Sequence, residues 1–485
     1  MKHKLVIAVT VFAFLLGTLG VAYAQGPAGS YASGIACANL GGSPANISLS
    51  FYNGDGTTAL SYTDPTPIPV GGSRNYFTPS TPAGIPSGFL GSAVVSADQP
   101  LACTVNTQAV GTGLGTAANP ARVDTSAGVG SDKTSSLLYA PQVIKALGGF
   151  NSYVSVQNSE TTAQVVYISY VDRTGVAYPA ARESFTIPAQ SSHIFYQSQN
   201  ANLPAGFLGG ATITSTGKLA SVVAFYNNAA NTGSTQFNTY TAFPGGSNKV
   251  LLPRVVRNYY GFQGGLSVQN VGSSATTITV TFSFAGSTYV VPNVAINPGA
   301  TYSPYLPNVA QLAPVDALPV NQRTGNAVVE AAPGGSIVAI VNEDNRGTCN
   351  SAPGCGTIPV EQVGWSNTYT GFPDGAQTTT TFFTQVTRKA GSIYSGGFQL
   401  ANTTGTATTC NITYSGAAAA NETSVALAAN GSLSRFAPNV SNLPDGFNSS
   451  VKVVCGQPVV GISNLSARST GYFGDSFAAA NGLNQ

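Results

Sequence analysis

The residues best equipped for chemistry in this sequence are six cysteines: Cys37, Cys103, Cys349, Cys355, Cys410 and Cys455. None forms a Cys-x-x-Cys pair, and beyond the leader described below the chain holds one histidine, His193, so a metal centre is poorly provided for. The chemistry that remains is oxidation. Pairing inside each repeat gives Cys37–Cys103, Cys349–Cys355 and Cys410–Cys455, one of 15 connectivities open to six cysteines. A bridge closing the roughly 67 residues from Cys37 to Cys103 would stabilise by about 4 kcal/mol in the chain-entropy model.

Other candidates are weaker. A Ser-His-Asp arrangement needs a histidine held by a carboxylate, and His193 stands where other repeats have Arg74, Tyr302 and Leu433, which reads as a strand surface. Asn53-Gly54-Asp55-Gly56 lacks the carboxylates and closing glutamate of a calcium loop and reads as a turn. Asn342-Glu343-Asp344-Asn345 reads as a solvated acidic loop following a strand. The 17 acidic residues offer no pair marked out for glycosidase work. Neither a catalytic residue nor a cofactor is therefore expected. Trp365, the single tryptophan, follows the Cys349–Cys355 loop and is the candidate for a recognition tip. Asn402, Asn411, Asn421, Asn430, Asn439, Asn448 and Asn464 each open an Asn-x-Ser/Thr triplet, which makes glycan decoration of the last repeat a candidate.

The elements that must position these residues begin after residue 24. Lys2 and Lys4, the apolar run from Leu5 to Leu16 and Ala22-Tyr23-Ala24 before Gln25 form a secretory leader with its cleavage site. Two of the 19 basic residues leave with it, so basic and acidic groups balance, and only 7% of the chain is charged. Nucleic acid needs basic patches that this chain lacks, and membrane insertion is not expected. A near-neutral exported chain also has little charge repulsion against self-association.

The chain repeats itself four times. Gly88-Phe89-Leu90-Gly91-Ser92-Ala93 recurs as Gly206-Phe207-Leu208-Gly209-Gly210-Ala211 and Gly446-Phe447-Asn448-Ser449-Ser450-Val451, and more loosely from Gly325. Before it come a strand ending in Asn39, Asn158, Asn270 or Asn402 and an alternating strand such as Thr277-Ile278-Thr279-Val280-Thr281-Phe282. After it the chain returns through Asn106, Asn227, Asn342 and Asn464. Many short strands broken by Gly and Pro predict antiparallel, immunoglobulin-like β-sandwiches. The expected division is leader 1–24, repeat one 25–112, a flexible Gly/Ala/Ser linker 113–136, repeat two 137–245, repeat three 246–373 and repeat four 374–485.

Val156-Gln157-Asn158, Val268-Gln269-Asn270, the Leu-Pro-x-Gly-Phe loops and the run from Leu252 to Gly261 give the chain a recognisable type. It resembles secreted tandem β-sandwich repeat proteins of the cell envelope of filamentous green non-sulphur bacteria. That resemblance implies an envelope or extracellular location and carries over no catalytic residue. Ala36-Cys37-Ala38-Asn39 and Gln399-Leu400-Ala401-Asn402 depart from the Val-Gln-Asn pattern.

The expected molecule is a secreted rod of four all-β sandwiches, a structural and self-assembling surface or filament protein without enzymatic activity. The alternative is an adhesin or glycan-binding protein using the repeat-three loop. Its expected partners are further copies of itself, as homo-oligomer or polymer, with cell-envelope glycans as a second candidate. One asymmetry stands out. Repeats two, three and four are each preceded by an apolar strand, which in repeat one falls at the leader cleavage site. The tail from Ser476 to Gln485 of a neighbouring copy is the candidate replacement, and the chain's own residues 25–33 are the other.

Overall fold

The computed structural model describes residues 27, 29–116, 119–227, 235–467 and 473–484; the leader lies outside them. Within them the chain is all-β, with strands joined by turns and short 3-10 segments. The alternation read from sequence is the cause. In Thr276–Phe284, Ile278, Val280, Phe282 and Phe284 point into a sandwich core while the intervening residues face outward. Burying one such side chain stabilises by about 1.5–3 kcal/mol, which only the strand period delivers to a single face.

Repeat two shows the full plan. One sheet runs Glu183–Ile187, Gln164–Asp172, the first half of Phe207–Asn227, then Ser135–Lys145. The other runs Ser192–Tyr196, Phe150–Asn158, the second half of Phe207–Asn227, then Phe237–Thr241. The 21-residue strand thus passes from one sheet to the other. Phe447–Ala467 does the same in repeat four, and paired strands replace it in repeat one (Gly91–Ala97, Leu101–Val110) and repeat three (Thr324–Ala331, Ile337–Asn345).

The asparagine that ends a strand in every repeat has one job, done four times. Asn39, Asn158, Asn270 and Asn402 are fully buried. Each donates its amide to the carbonyl four residues on, at 2.8–2.9 Å, and to a carbonyl across the sandwich: Ile68, Ile187, Ile296 or Ala428. Each also accepts the backbone N–H two residues ahead. Alanine at Asn270 leaves these buried backbone groups unpaired. The expected loss is about 2–3 kcal/mol, read as a lower midpoint in chemical denaturation with an unchanged slope; a loss under half that would mean water replaces the amide.

All three disulfides join the expected partners. Cys37 faces Cys103, and Cys410 faces Cys455, as direct neighbours on adjacent strands of one sheet. The staple is therefore within a sheet and does not tie the two sheets of the sandwich together.

The rod expectation is overturned: the repeats close into a ring. Equivalent residues meet at all four junctions, three times through a hydrogen bond. The Ser92 hydroxyl donates to Gln190 O at 2.7 Å, Gly210 lies against Gly299 O, Asn326 donates to Asn430 O at 3.0 Å, and Ser450 donates to Gly71 O at 2.8 Å. The last joins repeat four back to repeat one. At the centre, Ala121–Ala127, Phe237–Thr241, Ser366–Thr370 and Phe477–Asn481 each pack on the next around the circuit.

Ala121–Ala127 also corrects the linker assigned to 113–136. It is the last strand of repeat one, paired with Leu101–Val110, and it is buried where four strands converge. The tail is likewise not free. Phe477–Asn481 pairs with Ile462 to Ser466, and Leu483–Asn484 pairs with Thr381 and Phe382, so both complete repeat four of their own chain. Residues 30–33 extend the strand Ser30–Asn39 and do not fold back.

Candidate functional site

Among the described residues, repeat three adds to the common plan a 3-10 segment, Ala310–Ala317, and the disulfide loop after Asn345. Arg323, 1% exposed, fastens them. Its guanidinium donates to Leu318 O, Asn258 O, Asp316 O and Pro353 O, tying the 3-10 segment Ala310–Ala317 to the disulfide loop. Arg257 adds a two-pronged pair to Asp316 at 3.0 and 2.7 Å. The disulfide loop is thus held by the buried Arg323 guanidinium as well as by Cys349–Cys355.

Trp365 is not a recognition tip. It is 1% exposed and stacks on Phe477 of repeat four, in a cluster with Val256 and Phe262. Indole burial at an inter-repeat seam gains apolar area that an exposed tip would forgo.

The loop does border a cavity. A space of about 410 Å³ opens between repeats three and four. Tyr259, Tyr260 and Ile358 form one wall, Arg435, Phe436 and Asn464 the other, and Phe262 and Phe477 close it off from Trp365. Tyr260 is 42% exposed and has φ 48°, a left-handed conformation uncommon for a bulky residue. Arg435 is held by Glu422 at 2.8 Å, and Arg254 lies over the Tyr259 ring. Aromatic faces beside guanidinium and amide groups suit a polar, ring-shaped ligand. Of these lining residues the sequence singled out only Asn464, as a glycosylation candidate; the pair Tyr259-Tyr260, ahead of Gly261, was the available signal for the cavity.

The remaining candidates are structural. His193 lies flat on Phe185, ring centres 3.6 Å apart, and burial lowers its pKa. Asp55 accepts from Thr57 within its own turn, which lowers its pKa. The acidic run 342–345 is not a solvated loop but the end of strand Ile337–Asn345, with Glu343 buried against Arg254 at 2.6 Å. Among the described residues no three His, Cys, Asp or Glu side chains could hold a metal ion, and no helix is long and apolar enough to cross a membrane. Of the seven candidate glycosylation sites, Asn402 is buried in its clamp and Asn464 is half-buried, whereas Asn411, Asn421, Asn430, Asn439 and Asn448 are exposed.

No family model and no curated protein matches the chain. Among solved structures, protein 1070 of Thermotoga maritima is 9% identical, over 22% of this chain and 93% of its own, with TM-score 0.20. The Anabaena sensory rhodopsin transducer is 15% identical over 18% of this chain and 92% of its own, with TM-score 0.16. A Ca2+-stabilized adhesin of an Antarctic bacterium aligns over 100% of this chain and 99% of its own at 12% identity, with TM-score 0.11. Similarity at this level says nothing of what the chain does.

Proposed function

We propose that this is an exported structural protein of the cell surface or extracellular matrix, non-enzymatic, that works as one rigid four-repeat block and assembles with other copies through its outer faces. Ring closure carries the reading. Four sandwiches turn the same surface on one another, from Ser92 to Gln190 round to Ser450 to Gly71, and so behave as a single body. Full pairing of the cysteines suits an oxidising exterior. Small-angle scattering of the mature chain should return a radius of gyration of about 23 Å, the value for a compact body of this length. An extended particle would sink the block. Ordered polymers in electron micrographs of native material are expected; dispersed monomers would count against assembly.

The cavity between repeats three and four supports a second reading, binding of envelope glycans. On that reading Tyr260→Ala removes retention on immobilised cell-wall polysaccharide without lowering the melting temperature. Unchanged retention by that variant discards it.

A further inference from the structure

Three repeats carry an opening strand, and among the described residues the first shows none. Ser135–Lys145, Lys249–Val256 and Thr378–Arg388 each pair antiparallel with the first half of the return strand of their own repeat. The equivalent strand of repeat one, Gly91–Ala97, pairs only with Ile47–Asn53, and its other edge has no strand partner among the described residues. Counting back from the equivalent positions Ile35 and Val154 puts the sequence counterpart of Ser135–Lys145 at residues 16–26. Cleavage after Ala24, which the sequence predicts, leaves two of its residues. The edge itself, Gly91 to Ala97, has neither charge nor proline to discourage pairing.

The intact repeats show what such a strand must carry. Each ends in, or is followed directly by, a cation that docks on the equivalent loop carbonyl. Lys145 donates to Asn200 O at 2.6 Å, Arg257 to Val309 O at 3.2 Å, and Arg388 to Val440 O at 2.8 Å. At the matching place repeat one has a groove of about 360 Å³ lined by Tyr31, Pro79, Ile85, Phe89 and Val110.

The neighbouring repeat records the same absence. Three repeats have a cross-strand Gly–Asn pair: Gly34–Asn106, Gly265–Asn342 and Gly397–Asn464. Asn342 donates to Gln142, and Asn106 to Gln385, both on the opening strand of the preceding repeat. Repeat two, which faces repeat one, has Tyr153–Ala224 instead, beside Tyr226 and Phe237. Ala224, not Asn227, is therefore the true counterpart of the other asparagines. An apolar face replaces a polar one where no Gln or Arg arrives to meet it.

We infer that repeat one is an acceptor site for an extended segment of a separate polypeptide, added as a strand along Gly91–Ala97. Its occupant has alternating apolar residues, an apolar side chain where Gln142, Arg254 and Gln385 stand in the intact repeats, and Lys or Arg three positions later. A second copy of this chain is not the donor, because its three opening strands and its tail are all paired internally. Backbone bonding along the edge would supply affinity, and the cation and apolar position would supply selection.

The probe is a synthetic peptide with the sequence of residues 137–145 and valine in place of Gln142, titrated against the mature chain starting at Gln25. One peptide should bind per chain. N-methylation at alternate residues, which removes strand hydrogen bonds and keeps the side chains, should weaken it by more than roughly tenfold. Replacing its lysine by norleucine should weaken it less. Fusing the same sequence ahead of Pro27 should raise the melting temperature and abolish peptide binding. Absence of binding would mean that Tyr153 and its neighbours close the slot themselves. Equal binding of the N-methylated peptide, or binding undiminished by the fusion, would equally overturn the strand-acceptor assignment.

Discussion

Replacing Asp475 by alanine should destabilise the folded chain by about 3–5 kcal/mol, more than any other single change at the centre of the ring. Its carboxylate accepts Ser366 N at 2.8 Å, Phe237 N at 2.9 Å and the Ser366 hydroxyl, so repeats two, three and four meet on one side chain. Its backbone pairs with Arg122 of repeat one. Alanine strands two buried N–H groups and a hydroxyl; asparagine keeps one acceptor and should cost about half as much. Burial pushes the Asp475 carboxyl well above the usual range, against the pull of its donors, and does the same to Asp124, which accepts from Thr239 nearby. The sign follows. These carboxyls hold protons more tightly folded than unfolded, so their contribution is most favourable below the unfolded value near 4 and is lost as pH rises toward the raised folded values. Asp64, Asp98 and Asp172, whose pKa values are lowered by hydrogen bonds, act oppositely, and their contribution is lost as pH falls below that range. Melting temperature should therefore rise as pH drops from 8 toward 5, and Asp475→Asn should flatten that rise. A flat profile in the wild type would show that the donors keep Asp475 ionised.

What sequence reveals here divides by the range of the interaction. Strands were legible because a period of two is a local signal, as in Thr276–Phe284, and the cysteine pairs because each lies within one repeat. The ring was not, because it is built from single small groups such as Ser92, Asn326 and Ser450 meeting carbonyls, and nothing marks such a serine. Composition misled at residues 113–136. Alanine and serine nearby read as flexible, yet Ala121–Ala127 is a buried strand, Arg122 and Asp124 included, because it packs among the four strands that converge at the centre. Trp365 misled for a related reason. A lone aromatic after a braced loop reads as exposed until Phe477, more than a hundred residues later, is placed against it.

Arg254→Ala should be nearly as damaging, at about 3–5 kcal/mol, and through a different physical cause. The guanidinium is fixed on Glu343 by two bonds of 2.8 and 2.6 Å and reaches Gln399 of repeat four at 3.1 Å. Gln399 in turn donates to Pro253 O and Gly325 O, so the same cluster ties the opening strand of repeat three to its neighbour. With Arg254 gone, Glu343, whose side chain is 3% exposed, is left as a buried charge without its partner. That stranded, desolvated charge is the source of the loss. Combining Arg254→Met with Glu343→Gln removes the stranded charge and should recover at least half of the loss. The discriminating measurement is calorimetry of the single and double variants at pH 5 and pH 8. If the single variant loses less than about 1 kcal/mol, or the double variant is no better, the pair is not what holds repeats three and four together. If instead the single variant unfolds in two steps while the wild type unfolds in one, cooperativity round the ring passes through this junction, as a closed circuit of mutually dependent repeats requires.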